Sequence, residues 1–318
     1  MIPLTPEVAR YLSNSLRDFK RMPQAAQGTY YVILAAAIYG FTLVLTKGAL
    51  TQLPPFTLLF IQTSSSVAFF WTIIVIRGIQ VPLHWDVLKY GLAGLLEPGL
   101  SYIFGVFGLS LTSASDAALI GTTEPIATLV LSWLILRERI RLPFIGLGVL
   151  ACMGVSWVAA PEAASMGQGT LWGTLLVCLS VLFASLYAIT TAHSVKQLHP
   201  VVLAAIQQTA ALVLFGVMLL GAWALGLESV QFTSATWGSV GVAIASGAFG
   251  YGLAFLLYLA AVRHQSASRI SLYLTLTPVF GVIGAYLFLG ERLMLSQGLG
   301  GSLILLAVMG LSQLPQEQ

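Results

Sequence analysis

The sequence predicts an all-α, polytopic membrane protein with ten transmembrane helices arranged as two inverted five-helix repeats. Three observations predict this fold class: the composition, the spacing of apolar segments and an internal repeat. Of the 318 residues, 58% are hydrophobic and only 8% are charged, whereas soluble domains carry about 25% charged residues. So few charges cannot cover a soluble fold of this length, which excludes a soluble enzyme and a nucleic-acid-binding protein.

Apolar segments of membrane-spanning length recur along the chain. A bilayer core about 30 Å thick needs roughly 20 apolar residues in a helix. By that criterion the ten expected spans lie at roughly 29–48, 56–76, 87–109, 115–136, 142–160, 170–191, 200–226, 236–262, 269–289 and 295–313. The chain therefore divides into a basic segment (1–28), a first five-helix repeat (29–160) and a second, inverted repeat (169–313).

Residues 1–28 form a polar segment before the first expected span. Val8, Leu12, Leu16 and Phe19 recur at helical spacing, with basic residues beside them. This pattern is typical of an amphipathic helix that lies on an anionic membrane surface. A frayed tail that supplies positive charge explains it equally well.

The distribution of Lys and Arg predicts the orientation of the spans. With the N-terminus inside, twelve of the 14 basic residues lie at inner ends of spans, and only Lys47 and Arg292 lie at outer ends. The positive-inside rule then places both termini in the cytoplasm. The protein is expected to lie in the cell (inner) membrane. Lys47 and Asp116 are candidates for an outer gate pair, with snorkelling of Lys47 to the interface as the alternative.

An internal repeat relates the two halves of the chain. A shift of 153 residues superposes 113–140 on 266–293, with ten of 28 positions identical, and a shift of 145 aligns Gln62 with Gln207. Because each repeat has five spans, an odd number, the second must be inserted upside down. Inverted repeats recur in secondary transporters, whose substrate site lies near the midplane between the halves.

Two segments resemble EamA-type transporters of the drug/metabolite transporter (DMT) superfamily. Thr123-Glu124-Pro125-Ile126, leading to Arg137-Glu138-Arg139-Ile140, is similar to that family's fourth helix, although Arg137 replaces the signature glycine. Thr277-Pro278-Val279-Phe280, leading to the intact Leu289-Gly290-Glu291-Arg292-Leu293, is similar to its ninth helix. Two further features are similar to that family. Tyr39-Gly40 stands where the family usually has Trp-Gly, and a Ser-Ala-Ser turn precedes each of the two helices. The resemblance implies a ten-helix bundle that exports small metabolites, often amino acids or amphipathic drugs, through a central cavity.

Two acids lie deep in the predicted spans. Glu97 and Glu124 are about ten and nine residues into the third and fourth spans, which places both near the midplane. A charge there costs at least about 2.5–3.5 kcal/mol, so each faces the bundle interior or water and is a functional candidate. We interpret them as binding a substrate ammonium or taking up a proton. The alternative is a protonated carboxyl that bonds the carbonyl freed by Pro98 or Pro125 and only stabilises a kink.

Hydroxyl and aromatic side chains at comparable depth complete the predicted site. An ammonium over a tyrosine ring gains about 0.5–2 kcal/mol, with ordinary packing as the alternative for each ring. Gln62 and Gln207 are expected to form interhelical hydrogen bonds, and no metal or cofactor is expected. The predicted substrate-binding residues are Tyr39, Glu97, Ser101, Tyr102, Glu124, Tyr187, Tyr251, Tyr273 and Thr277.

The sequence therefore predicts a secondary active or facilitative exporter that works by alternating access. Its expected partners are a small-molecule substrate and the lipid bilayer, without nucleic acid. Proton coupling through Glu97 or Glu124 and uncoupled facilitated diffusion both stay open. A channel or receptor is one alternative, since a repeat does not require a moving barrier. A membrane-embedded enzyme that modifies lipids with paired carboxylates is another, although no histidine lies in a span to assist it.

Overall fold

The protein is helical throughout the residues that the computed structural model describes. These are 23–82, 85–136, 143, 146–154, 157, 168–191, 197–229, 234–264, 273–274 and 276–313, and none of them is in a β-strand. The expected all-α class is confirmed. The predicted amphipathic helix, most of which falls at 1–22, lies outside the described residues, as do the motif at 137–140 and the Ser-Ala-Ser turn at 266–268.

The helices follow one another with short connections. In chain order they are α1 (Gln24–Ala49), α2 (Pro55–Arg77), α3 (Trp85–Leu92), α4 (Ser101–Leu111), α5 (Ala114–Gly121), α6 (Glu124–Leu136), α7 (Gln168–Thr191), α8 (Pro200–Ala224), α9 (Ser234–Ser246), α10 (Phe255–His264), α11 (Thr277–Gly284) and α12 (Leu295–Gln313). Residues 146–154 are also helical. A 3₁₀ turn (Ala93–Leu95) and three π-helical segments (Leu96–Leu100, Gly247–Ala254 and Ala285–Leu289) interrupt the regular geometry.

Six helices in the described part of the chain are long and apolar enough to cross a membrane. A seventh is added if α5 and α6, bent by 42° at a short break, count as one span. Shorter apolar helices stand where the ninth and tenth spans are expected, and the expected fifth span falls largely outside the described residues. The multi-pass membrane class is therefore supported, while the count of ten helices stays a prediction.

Proline and glycine mark several helix ends, as their backbone chemistry requires. α2 and α8 each begin with proline, whose missing N–H has no helical partner to lose at that position. α2 ends at Arg77 and is followed by Gly78, which adopts a left-handed φ of 58°. α1 begins at Gln24, directly after Pro23 and earlier than the expected residue 29, because polar residues at a membrane interface can continue a helix beyond the apolar stretch.

Helix packing places α1 at the centre of the bundle, against α10 and α11. α4 packs along α7, and α2 along α8. Close approach of α4 and α7 depends on glycine, since a Cβ on Gly108 would stand 2.9 Å from the carbonyl oxygen of Gly173. Many large apolar side chains stay exposed, including Val75 (77%), Leu220 (65%) and Leu287 (64%). Such a surface suits contact with lipid chains.

Candidate functional site

Glu97 stands at a break in the third expected span. The chain passes from α3 through the 3₁₀ turn into the segment Leu96–Leu100, and Glu97 itself has an extended backbone, with φ −143° and ψ 125°. Pro98 has no N–H to donate to the carbonyl of Gly94. Helical geometry is therefore lost where the acid lies, and the Glu97 side chain is half-buried.

Glu124 stands at a second break, between α5 and α6. Before it, the Thr122 and Thr123 hydroxyls donate to the carbonyl oxygens of Leu119 (2.6 Å) and Ile120 (2.7 Å). The same two carbonyl oxygens also accept the backbone N–H groups of Thr122 (3.2 Å) and Thr123 (3.0 Å), so each hydroxyl reinforces a tight turn before the break. The Glu124 side chain is half-buried. The predicted single span at 115–136 is thus a bent pair of helices.

The two acids are neighbours inside the bundle. The carboxyl groups of Glu97 and Glu124 lie within electrostatic range of each other, and Tyr39 of α1 and Tyr258 of α10 lie within the same range of both. Among the described residues, neither carboxyl group has a hydrogen-bond donor or a cationic partner. We infer that these half-exposed side chains, which approach one another from four parts of the bundle, line an internal cavity rather than face lipid.

Tyrosine rings form the remaining wall of this cavity. The rings of Tyr102 and Tyr251 lie 4.3 Å apart between centroids, and Tyr102 is within electrostatic range of Glu97 and Tyr39. Tyr187 is buried, and its hydroxyl donates to Oε1 of Gln207 at 2.9 Å. The structure therefore brings together six of the nine residues predicted from the sequence: Tyr39, Glu97, Tyr102, Glu124, Tyr187 and Tyr251.

For the other three predicted residues the structure shows contacts of other kinds. Ser101 is buried, with its Oγ 3.3 Å from Oγ of Ser180 between α4 and α7. Tyr273 is half-buried against the cluster around Val32. Thr277 is half-buried beside α1, where a Cβ on Gly40 would meet its carbonyl oxygen at 2.6 Å. A binding role for these three residues stays a prediction.

Tyr258 belongs to the group but was not singled out from the sequence. It lies within electrostatic range of both acids. It follows Tyr251 by seven residues, which would be two turns of a regular α-helix, and that spacing is the signal that could have found it. Ser185 of α7 is a second such residue, since its hydroxyl donates to the backbone carbonyl of Glu124 at 3.2 Å.

The two buried glutamines make the interhelical hydrogen bonds expected of them. Gln62 donates from Nε2 to Thr46 Oγ1 and to Ser246 Oγ, both at 2.8 Å. Gln207 donates from Nε2 to the carbonyl oxygen of Tyr90 at 3.2 Å. Each therefore joins helices around the cavity. Within the described ranges, no cluster of three His, Cys, Asp or Glu residues could hold a metal ion.

The arrangement suits a cationic ligand of small size. Two carboxyl groups at helix breaks supply negative charge or proton acceptors, and the surrounding rings supply faces over which an ammonium is attracted. Helices broken around polar side chains inside a membrane bundle are typical of membrane transporters.

Comparison with known proteins gives the family. Residues 26–160 and 171–313 match the model of the EamA-like transporter family. These two matches together span most of the chain, and the protein belongs to this family. The resemblance seen in the sequence, and with it membership of the wider drug/metabolite transporter group, is confirmed.

The individual relatives are described as transporters, without a named substrate. The uncharacterized transporter YcxC of Bacillus subtilis (strain 168) is 31% identical over 162 residues, 49% of this chain and 50% of that protein, so this match spans half of its length. The uncharacterized transporter YvbV of the same strain is 25% identical over 294 residues, covering 91% of this chain and 92% of that protein. An uncharacterized transporter of Archaeoglobus fulgidus is 23% identical over 281 residues, covering 87% and 96%.

A solved structure supports the fold alone. A protein described only as "Crystal structure of protein" superposes with a TM-score of 0.63 at 18% identity, and the alignment covers 90% of this chain and 96% of that chain. The bundle architecture is therefore shared with an experimentally determined fold.

Proposed function

We propose that this protein is a secondary exporter that moves small amine-bearing molecules, either amino acids or amphipathic amines and drugs, across the cell membrane by alternating access. The observation that carries the proposal is the pair Glu97 and Glu124, two neighbouring acids at helix breaks that share a tyrosine-lined cavity. Ammonium is the chemical group common to these substrates. An ammonium bound between two carboxyl groups and aromatic faces replaces the hydration that it loses on entering the bilayer.

Alternating access requires two halves that can exchange roles, and helix packing supports an inverted repeat. The repeat relates α1 to α7, α4 to α10, and α6 to α11. α4 and α6 pack against α7, and α10 and α11 pack in turn against α1. The contacts of one half thus recur in the other with equivalent helices exchanged, as expected of inverted halves of similar energy.

Individual contacts repeat in the same way. A Cβ added to Gly247 would stand 2.7 Å from the carbonyl carbon of Gln62, and one added to Gly94 would stand 2.7 Å from the carbonyl carbon of Gln207. The glycines are related by the 153-residue shift and the glutamines by the 145-residue shift. The same close crossing therefore occurs once in each half, which supports the proposed symmetry.

The inverted topology predicts labelling from opposite sides of the membrane. Gln52 and Gln197 are both exposed glutamines, related by the 145-residue shift. In a background with Cys152→Ser and Cys178→Ser, we expect Gln52→Cys to react with an impermeant maleimide from outside intact cells. Gln197→Cys should react only after the cytoplasmic side is opened. Labelling of both positions from one side would contradict the inverted repeat and the proposed cytoplasmic termini.

Glu97 and Glu124 are also the proposed sites of proton coupling. Two carboxyl groups close together bind protons as a coupled pair, so displacement of a proton by a substrate ammonium would link the two fluxes. Uncoupled facilitated diffusion would use the same site without proton movement. An imposed pH gradient separates these mechanisms for a zwitterionic amino acid, which is not trapped as a weak base, because only the coupled carrier accumulates it against its concentration gradient.

The transporter proposal is tested with purified protein in liposomes loaded with unlabelled amine or amino acid. We expect saturable uptake of labelled substrate that is accelerated by substrate on the opposite side. Flux that rises linearly with concentration and shows no such exchange would indicate a channel. A covalently altered product would indicate an enzyme.

A further inference from the structure

Two side chains of the second family match bind helix N-termini of the first. Glu228, which follows α8, accepts hydrogen bonds from the backbone N–H groups of Phe56 (2.8 Å) and Thr57 (3.1 Å). It also accepts the hydroxyl of Thr57 at 3.0 Å. The first turn of α2 has no acidic residue or side-chain cap of its own. The carboxylate of Glu228 therefore serves as the cap of α2, from 171 residues away.

Glu291, which follows Gly290 in the second match, binds the N-terminus of α5, where it adds to that helix's own cap, the Ser113 Oγ that accepts the Asp116 N–H at 3.0 Å. Its carboxylate accepts the N–H groups of Ala114 (3.0 Å) and Ser115 (3.1 Å) and the Ser115 hydroxyl at 2.8 Å. Beside it, Gln297 donates to Oδ1 of the buried Asp116 at 2.9 Å. A carboxylate at a helix N-terminus is favoured by the unpaired N–H groups and by the helix dipole.

Both caps lie at one end of the bundle, which we call the capped end. Lys47, near the end of α1, donates there to the carbonyl oxygens of Leu109 (2.8 Å) and Thr112 (2.6 Å), immediately before α5 begins. Both carboxylate caps cross from the second family match to the first. A movement at the capped end that carries Glu228 away from α2 or Glu291 away from α5 must therefore break these bonds.

We propose that Glu228 and Glu291 form a latch that holds the capped end closed, and that opening of the cavity at this end requires their release from α2 and α5. This inference rests on the proposed alternating access and adds a mechanism that regulates it. Hydrogen bonds to a charged group are strong enough that loss of either cap favours the open state by about tenfold. The latch acts far from the acid pair, so it alters access to the cavity rather than its chemistry.

The test measures opening directly, in nanodiscs, by the distance between two spin labels. In the background with Cys152→Ser and Cys178→Ser, labels at the exposed residues Gln52 and Leu295 report on the capped end. A second pair at Gln80 and Gln313, also exposed, reports on the other end. The variant Glu228→Gln with Glu291→Gln keeps side-chain size and removes both charges. Matched controls are Ser229→Ala and Arg292→Gln, exposed neighbours of the two caps.

We expect the double variant to raise the population with long Gln52–Leu295 distances by tenfold or more and to shorten the Gln80–Gln313 distances, while both controls match the parent protein. Thr57→Val with Ser115→Ala, which removes one hydroxyl bond from each cap, should shift the same populations less.

Unchanged distances in the double variant would overturn the latch. If that variant does not fold, unchanged distances in the Thr57→Val and Ser115→Ala variant would do so. Failure of exchange in liposomes would instead overturn the transporter proposal, since the distances do not depend on a substrate.

Discussion

Replacement of Glu97 by glutamine is expected to lower kcat/KM for an amine-bearing substrate by at least about 30-fold, because the substrate ammonium loses one of its two carboxyl partners. Glutamine has the same size, so the broken helix around residue 97 keeps its shape. The measurement is exchange of labelled amine in liposomes, with the amount of inserted protein determined in parallel.

Two further variants make this result specific to the charge. Glu97→Asp keeps the carboxyl group and should retain more activity than Glu97→Gln. Ser110→Ala, on the following helix, removes an exposed hydroxyl that bonds only to the local carbonyl of Phe107, and should transport like the parent. Parental transport by Glu97→Gln would assign Glu97 to stabilisation of the kink, the alternative left open by the sequence.

Replacement of Gly247 by alanine is expected to destabilise the protein by about 3 kcal/mol or more, the upper part of the range for overpacking. The added Cβ would lie 2.7 Å from both the carbonyl carbon and the Cα of Gln62, and it would also clash with the carbonyl oxygen. These are backbone atoms and cannot rotate away, so the helix that carries Gln62 would have to move. The loss is measured by denaturant unfolding in detergent micelles.

The control for this experiment lies on the preceding helix. A Cβ on Gly241 meets no atom within 4 Å, so Gly241→Ala should leave stability unchanged or raise it slightly through better helix propensity. Gly94→Ala, at the symmetry-related crossing with Gln207, should behave like Gly247→Ala. Equal stability of the Gly247 and Gly241 variants would show that the two helices do not cross closely.

The sequence predicts that both acids lie near the midplane, and the structure places them within electrostatic range of each other. Glu97 and Glu124 lie on different helices, yet both were expected near the midplane because rise per residue converts position in a span into depth. The breaks around them were signalled by Pro98 and Pro125, which cannot donate to the preceding turn. Proline predicts that a helix is interrupted but not the direction in which the chain continues.

Which side chains line the cavity was harder to predict from the sequence than how deep each residue lies in its span. Ser101 has suitable depth and chemistry, but its hydroxyl lies beside Ser180 between two helices. Tyr258 is not among the residues predicted from the sequence, although it lies near both acids. In a soluble helix the polar face identifies the surface and the apolar face the core. Here both lipid and neighbouring helices accept apolar side chains, so hydropathy does not give the rotation of a helix about its axis.

By itself, the sequence determined that this chain lies in a membrane, where its apolar segments fall and which family signatures it carries. Each of these depends on composition, local spacing or motif, quantities that a linear chain already contains. Only the tertiary structure decided which tyrosines surround Glu97 and Glu124, and that Glu228 and Glu291 cap helices more than 170 residues away. Those contacts depend on how each helix is rotated and which helices become neighbours, and packing of the whole bundle sets both.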